Sequence, residues 1–314
     1  MRINSARALK TELRQHRDEL TIAPPTVRSG RYMPIAYGIA PGKGKDDYHL
    51  AIRTETPLSP AVVDELTQKT HGEIDLRTTG TIAVVSPVAA VRPTWPLQSG
   101  CSIAHYSSTA GTAGFIARRL SDGAVGVVSN NHVLAAEDEG VDGDVVLSPG
   151  PADRGRRPHD VVARLDGKYP RLHSNIDCAF APLLRHVQYD SRALGRGEYI
   201  RPVSVLPSES QIVAKIGRTT GRTEGRVSAF ELDEIAVHYA AQTIHLNDQI
   251  EVDTVREEPF CRPGDSGSLV FVPGGSPVGL LCATSVAGGT HSYGLAYAHT
   301  ITSVLNALGV TFVT

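Results

Sequence analysis

Ser266 stands in the run GDSGS (264–268), a turn of small residues that leads straight into the apolar LVFV. A serine hydroxyl is a weak nucleophile near neutral pH. Chemistry at Ser266 therefore needs a base within hydrogen-bond reach and a third group that orients the base. Two other places supply those residue types. His132, in GVVSNNHVLAAED, follows an apolar run and precedes a short helical patch. Asp177, in HSNIDCAFAPL, stands in an apolar run that reads as a strand, where burying an unpaired carboxylate is costly and an imidazole N–H is a natural partner. The chain order is His, Asp, Ser, with 45 residues from His132 to Asp177 and 89 from Asp177 to Ser266. Each residue also has a purely structural reading. Ser266 suits a turn, His132 a helix cap or satisfied core position, and Asp177 a strand end; His105, His173, Asp160 and Asp166 are the substitutes for the last two.

Such side chains act together only on a rigid frame, and the sequence from 97 to 314 predicts one made of strands. Short β-rich runs recur there, from CSIAHY and TAGFIARR through AVGVVSN, DVVLSP, DVVARL and IDCAFAPL to QIVAKIG, RVSAFELDEIAV, DQIEVD, GSLVFV, PVGLLCATS and SYGLAYA. Gly, Pro, Asn, Asp or Ser cluster between many of them, the pattern of an all-β barrel or sandwich. A closing helix, HTITSVLNALG, carries Ile301, Val304, Leu305 and Leu308 on one face and stops at Gly309. Residues 1–96 differ in character and read as a small α+β region. A first helix has Ala6, Leu9, Leu13 and Leu20 as an apolar stripe and Ser5 as its expected N-cap. Then come a strand (YHLAIRT), a helix with Pro at its first position (SPAVVDELTQK) and two strands (EIDLRT, GTIAVV). The three prolines of SPVAAVRPTWP (86–96) mark the boundary. The stripe on the first helix fits packing on its own domain as well as it fits a homo-oligomer.

Composition narrows the function classes. The 314 residues carry a formal charge of −2, which gives no reason to expect a nucleic-acid or acidic-membrane partner. The densest basic run, RGRRP (154–158), reads as a solvated loop. The N-terminal stretch is charged throughout without an apolar signal core, and no run approaches the ~18–20 apolar residues of a membrane span. Cys101, Cys178, Cys261 and Cys282 form no CxxC pair, so reduced thiols in a cytoplasmic protein are expected, with Cys261 and Cys282 free and buried. GRTTGRTEGR (217–226) lacks the ending of a phosphate loop and reads as a tight turn between strands. His291 and His299 have no acidic company, there is no HExxH, and neither metal nor cofactor is expected.

The segments GDSGSLV and SNNHV, with the order His…Asp…Ser, resemble the chymotrypsin-like (trypsin-like) serine proteases. The paired asparagines before the histidine are similar to the HtrA-type branch. KIGRTTGRTEGRV (215–227), with GTAGFIARR and SNNHVLA, resembles the narrow-leaf-type cytosolic proteases of plants and their bacterial relatives. The resemblance covers roughly 97–314. It implies a mainly β, chymotrypsin-like double β-barrel with an N-terminal α+β extension, and a serine endopeptidase acting on protein or peptide. Ser266 is then the nucleophile, His132 the general base, Asp177 its orienter, and the N–H groups of Gly264 and Ser266 the oxyanion hole. By the same resemblance Phe260 lies at the base of the primary pocket, with Cys282, Ala283 and Thr284 on its wall, and a small or medium apolar residue is preferred at the cleaved position. The chain lacks an IVGG-like amino terminus to pair with Asp265, which must find another partner. Two other readings stand beside this one. A protease-like fold with no activity could serve as a binding module; an α/β-hydrolase is disfavoured, because it needs GxSxG, the order Ser…Asp…His and alternating helices.

Overall fold

The computed structural model describes residues 1–15, 35–44, 46–84, 96–194, 197–208 and 210–313. The N-terminal part holds α1 (Ile3–Gln15), β1 (Ile35–Pro41), β2 (Tyr48–Thr54), α2 (Pro60–Lys69), β3 (Ile74–Thr78) and β4 (Ile82–Ala83). Next come β5 (Ser102–His105), β6 (Gly111–Thr112), β7 (Phe115–Arg119), β8 (Val125–Ser129), α3 (Asn131–Leu134), β9 (Val145–Leu147), β10 (Val161–Arg164) and β11 (Ala179–Pro182). The last part contains β12 (Ile212–Gly217), β13 (Gly221–Asp233), β14 (Ile235–His238), β15 (Thr243–Leu246), β16 (Gln249–Thr254), β17 (Leu269–Phe271), β18 (Pro277–Ser285), β19 (Ala296–Thr300), α4 (Ile301–Leu308) and β20 (Val310–Phe312).

The fold is mainly β, and it is a double β-barrel. In the second barrel β12 pairs with β13, β13 with β16, β16 with β19, β19 with β18, β18 with β17, and β17 with β12 again. That ring leaves no open edge among its six strands, which removes the usual risk of edge-to-edge pairing. The first barrel is a ring as well. β6, β5, β9 and β10 form one sheet and β11, β8 and β7 another. An isolated bridge from Ala163 to Leu183 joins them on one side, and β6 runs on into β7 on the other. Ile103, Ile116, Val127, Leu134, Val146 and Val162 fill the first barrel, all buried. α4 ends at Gly309 in a left-handed conformation (φ 59°), and β20 then returns to pair with β7.

The N-terminal strands are built into the second barrel. β1 lies antiparallel to the long β13, with β2 and β3 beyond it, and β4 inserts between β18 and β14. α1 turns its apolar stripe onto its own chain: Ala6 joins the core beside Val227 and Phe230, and Leu13 joins β1, β2 and α2. A buried ion pair ties the two parts together. Arg53 on β2 gives Nε and an Nη to the two carboxylate oxygens of Glu251 on β16, at 2.6 and 2.8 Å. Ser228 and Tyr297 also donate to Glu251, and Arg53 reaches Asp75 at 2.7 Å.

Several expectations change in detail. Ser5 is inside α1 and caps nothing, because the helix already begins at Ile3 and the N–H of Ala6 bonds to Arg2 O at 3.0 Å. Asp177 precedes its strand, which starts at Ala179. β1, β15 and β20 were not read from the sequence, the first because IAYGIAP is apolar on both faces and has no alternation. Leu20 and nearly all of the proline-marked boundary fall outside the described residues.

Removing one partner of the Arg53–Glu251 pair strands a charge without water. Arg53→Met is expected to cost about 3–5 kcal/mol, read as a lower urea midpoint, and adding Glu251→Leu is expected to recover much of that loss.

Candidate active site

The first barrel delivers the candidate base, His132, and its candidate orienter, Asp177, from two neighbouring strand ends. β8 ends at Ser129, and the short α3 follows at once, putting His132 in its first turn. β11 is the strand paired with β8, so Asp177, two residues before it, arrives beside His132. The contact is direct: His132 Nδ1 lies 2.5 Å from Asp177 Oδ2, and the His132 backbone N–H reaches Oδ1 at 3.2 Å. With Nδ1 engaged by the carboxylate, Nε2 is the nitrogen left to take a proton. The two asparagines of SNNHV act as struts. Asn130 donates to the carbonyl of Asp177 at 2.7 Å, and Asn131 donates to Asp138 and to Pro170 O.

Asp177 is fully buried and still ionised. Burial alone pushes its carboxyl up, but the charge and hydrogen bond of His132, helped by His299, outweigh burial and hold it below the ordinary value. Further donors come from the second barrel. Tyr239 gives its hydroxyl to Oδ2 at 3.0 Å, and the Asp177 N–H is received by His299 Nε2 at 3.0 Å. The Gln249 amide contacts His299 Nδ1 at 2.9 Å. Burial pushes His299 down to about 4, so this imidazole is neutral and can accept.

Ser266, the candidate nucleophile, belongs to the second barrel, on the turn before β17. Gly264 adopts φ +95° and Gly267 φ +89°, conformations that a residue with a Cβ adopts only under strain. At Gly267 a Cβ would also lie 2.0 Å from Ser129 Oγ, one strand end away from His132. Gly111 shows the same crowding: a Cβ there would meet the Val133 side chain and, at 3.2 Å, the Ser266 carbonyl. Thr112 N–H donates to that carbonyl at 2.8 Å, and Ser108 Oγ donates to His132 O at 3.3 Å. β6 is thus the partition on which the turn carrying Ser266 and the helix carrying His132 meet. His132 and Ser266 are both half-buried at this junction. Among the described residues the N–H groups of Gly264 and Ser266 donate to no protein acceptor, whereas those of Asp265, Gly267 and Ser268 are all bonded. Two free donors beside a serine hydroxyl are what an oxyanion requires.

Asp265 is buried and holds this turn from beneath. It accepts from Thr219 N–H (2.8 Å), Thr220 N–H (3.1 Å), Thr220 Oγ1 (2.7 Å) and Arg262 N–H (3.0 Å). Lys215, itself fully buried on β12, supplies the counter-charge at 3.1 Å. The glycine- and threonine-rich turn between β12 and β13 therefore does cradle an anion, and the anion is the protein's own Asp265. The next residue back, Arg218, crosses to the first barrel and pairs with Asp153, its Nε 2.6 Å from Oδ2. Ser268 donates its hydroxyl to Asp265 O at 2.5 Å, so the side chain at this position closes the turn.

A small pocket opens beside Ser266, walled by Cys261, Pro263, Leu281, Ala283 and Thr284. Ala283 and Thr284 line this pocket together with Ser266. Phe260 and Cys282 are elsewhere: Phe260 is in the second-barrel core near Val252, and Cys282 is in the core beneath Gln249 and Tyr297. Strand alternation is the reason for Cys282, since Leu281 and Ala283 on either side of it face the pocket. Ala83 of β4 completes the wall, its strand running antiparallel to β18 with Ala83 opposite Thr284 and Ile82 opposite Ser285. All four cysteines are buried, and Cys178, Cys261 and Cys282 are free thiols.

Lys215, Tyr239, His299 and Ala83 escaped the sequence reading. Only Lys215 left a trace, a lone cation inside the apolar IVAKIG that had to find an acid.

No family model matches the chain, and no curated protein matches it in sequence. Solved structures similar in fold include protease A of Thermobifida fusca, 18% identical over 69% of this chain and 98% of that one, with a TM-score of 0.49. Another is a chymotrypsin of Cellulomonas bogoriensis, 18% identical over 69% and 98%, with a TM-score of 0.47. A third is a glutamic-acid-specific serine protease described as using a histidine triad in substrate binding, 20% identical over 69% and 100%, with a TM-score of 0.49.

A buried neutral histidine makes stability depend on pH. Between the unfolded value of about 6.5 and the folded value of about 4, the unfolded chain binds a proton at residue 299 that the folded chain does not. This contribution is present above about pH 6.5 and is lost as the pH falls towards 4, on the order of 3 kcal/mol in all. His299→Gln, which keeps an acceptor for the Asp177 N–H, is expected to flatten the acid side of the stability profile, measured by urea unfolding at a series of pH values.

Proposed function

We propose that the chain is a serine endopeptidase working through His132, Asp177 and Ser266. The observation that carries this reading is the junction itself. A buried carboxylate engages His132 through Nδ1, and β6 touches both Val133, the residue after His132, and the carbonyl of Ser266, whose turn presents two N–H groups with no protein acceptor among the described residues. On this reading Ser266 Oγ attacks the scissile carbonyl while His132 Nε2 takes its proton. Charge developing on the carbonyl oxygen is received by the N–H groups of Gly264 and Ser266, each such donor contributing about 3–4 kcal/mol in hydrolases of this chemistry. His132 then protonates the leaving amine. Water, activated by the same histidine, releases the acyl group from Ser266.

The pocket supports a small or medium apolar residue at the cleaved position. Cys261, Pro263, Leu281, Ala283 and Ala83 bound it beside Arg262, and among the described residues no carboxylate lines it to attract Lys or Arg. The free, buried thiols of Cys178, Cys261 and Cys282 suit a reducing compartment, and a cytoplasmic enzyme is part of the proposal.

The second reading, an inactive protease-like fold that binds partners, is favoured by one observation. A peptide laid beside the pocket needs a strand edge for its backbone, and the edge at Thr284 and Ser285 already carries β4. A small phosphonate probe needs only the serine, whereas a peptide needs the edge, so the two reagents separate the readings. A fluorophosphonate is expected to label the wild type and neither Ser266→Ala nor His132→Ala. Lack of labelling in a folded wild type would sink the protease reading.

The edge has its own variant. Ile82 is buried, and Ile82→Asp is expected to expel β4 from its place against β18. Hydrolysis of a peptide with Ala or Val at the cleaved position is then expected to rise severalfold over the wild type, with phosphonate labelling little changed. Labelling without any gain in peptide hydrolysis would show that β4 does not compete with substrate.

A further inference from the structure

The carboxylate that orients His132 is shared. Asp177 Oδ2 accepts from His132 Nδ1 and also from the Tyr239 hydroxyl, a residue 62 positions further on and in the other barrel. Tyr239 is buried, and its ring meets the imidazole of His132 edge-on, with centroids 6.0 Å apart and planes at 66°. One phenol therefore touches both members of the pair, by hydrogen bond on one side and by packing on the other. Burial, with the nearby Asp177 charge, pushes the phenol well above its ordinary value, so it stays a donor at every pH at which the enzyme would work. The titratable groups that face Asp177 are His132, His299, Tyr239, Cys178 and Cys282, and Glu137 faces Tyr239. His299 remains neutral above about pH 4, and burial raises both thiols, so neither competes as a charge.

Tyr239 opens the turn between β14 and β15, where its N–H bonds to Gln242 O at 2.8 Å. Three contacts hold this hairpin at the site. Ala240 N–H donates to Glu137, after α3 in the first barrel, at 3.0 Å. The other two come from the N-terminal part. His238 pairs with Ala83 of β4, and its Nε2 lies 2.6 Å from Glu55 Oε1. The residue next to Tyr239 is thus clamped from both sides by residues before 85.

We propose that Tyr239 is a positioning residue for the reaction, donating to Asp177 so as to fix the carboxylate on His132 and to set the pH at which His132 serves as base, and that Glu55 and β4 hold it in place. The inference rests on the protease reading. A donor on Oδ2 draws negative charge away from the imidazole. Without it, the carboxylate stabilises the imidazolium more strongly and is held less firmly, so His132 binds its proton tighter and meets the substrate in a looser geometry.

Tyr239→Phe removes only the oxygen and keeps the ring, and the readout is hydrolysis of a small activated ester as a function of pH. The expected result is a severalfold fall in kcat at an unchanged KM, with the acid limb of kcat/KM moved to higher pH by roughly 0.5–1 unit. The downfield proton resonance of His132 Nδ1–H is expected to move in the same variant, a readout that needs no turnover. Glu55→Gln should move the limb the same way by less. A Tyr239→Phe profile superposable on wild type, or a lower kcat with the limb and the resonance unmoved, overturns the assignment. An unmoved limb in Glu55→Gln overturns the part given to the N-terminal region. Failure of the wild type itself to take the phosphonate probe would overturn the protease reading instead, so the two failures are distinguishable.

Discussion

Asp153, Asp177, Asp265 and Glu251 are carboxylates with almost no access to water, and the placement of their partners governs how the chain is assembled. Burying an unpaired charge costs several kcal/mol, so each of these groups forbids any arrangement in which its partner is missing. Each partner belongs to a different piece of structure. Arg218, from the β12–β13 turn, brings the second barrel to Asp153 of the first. Tyr239 and His299 bring it to Asp177. Lys215 fastens the nucleophile turn to β12, and Arg53 fastens the N-terminal sheet to β16. Apolar packing would tolerate sliding by a fraction of a residue; these pairs do not. They act as registration points, and three of the four stand at or next to the site.

That arrangement bears on how the site becomes ready to act. The turn of Gly264 to Ser266 needs an anchor for Asp265, and here the anchor is internal. Lys215 and the N–H groups of Thr219 and Thr220 are present as soon as the second barrel closes. On the protease reading, the two N–H groups proposed to receive the oxyanion are set as the barrel folds, because Asp265 is anchored by the barrel's own residues. What remains open to control is access, because β4 lies along the strand edge beside the pocket.

The catalytic types were legible because GDSGS and SNNHV are local patterns with a stereochemical reason. Gly264 and Gly267 supply conformations that other residues resist, and the asparagines brace the histidine. The barrels were legible from the alternation of short runs and turns. Tyr239, His299 and Ala83 were not, since each owes its place to strand pairings between distant parts of the chain. Nothing in IAVHYAAQ distinguishes a tyrosine that meets a carboxylate from one that fills a core. β4 shows the same limit from the other side: GTIAVV reads as a strand, yet its partner β18 lies some 200 residues on, and no local signal names it. Phe260 is a related case: the resemblance places it in the chain relative to Ser266, and that position does not show on which side of the chain its ring is buried.

The N-terminal part is bound to the second barrel by three different kinds of contact. β1 pairs with the C-terminal end of β13, Arg53 enters the interior to meet Glu251, and β4 fills a gap between β18 and β14. Taking this part away would leave Glu251 without its main counter-charge and three strands, β13, β18 and β14, each short of a partner, which is a source of instability or aggregation. The same residues approach the site twice, with Ala83 at the pocket wall and Glu55 behind the hairpin of Tyr239. These contacts pull in opposite directions. On the protease reading, the hairpin contacts hold a donor on Asp177 and so favour catalysis, whereas β4 along β18 occupies the edge proposed for a peptide backbone. A change that lifts β4 from β18 while leaving it on β14 would relieve the second without losing the first, and the different pairing of β4 with its two neighbours, antiparallel on one side and parallel on the other, makes the two contacts separable.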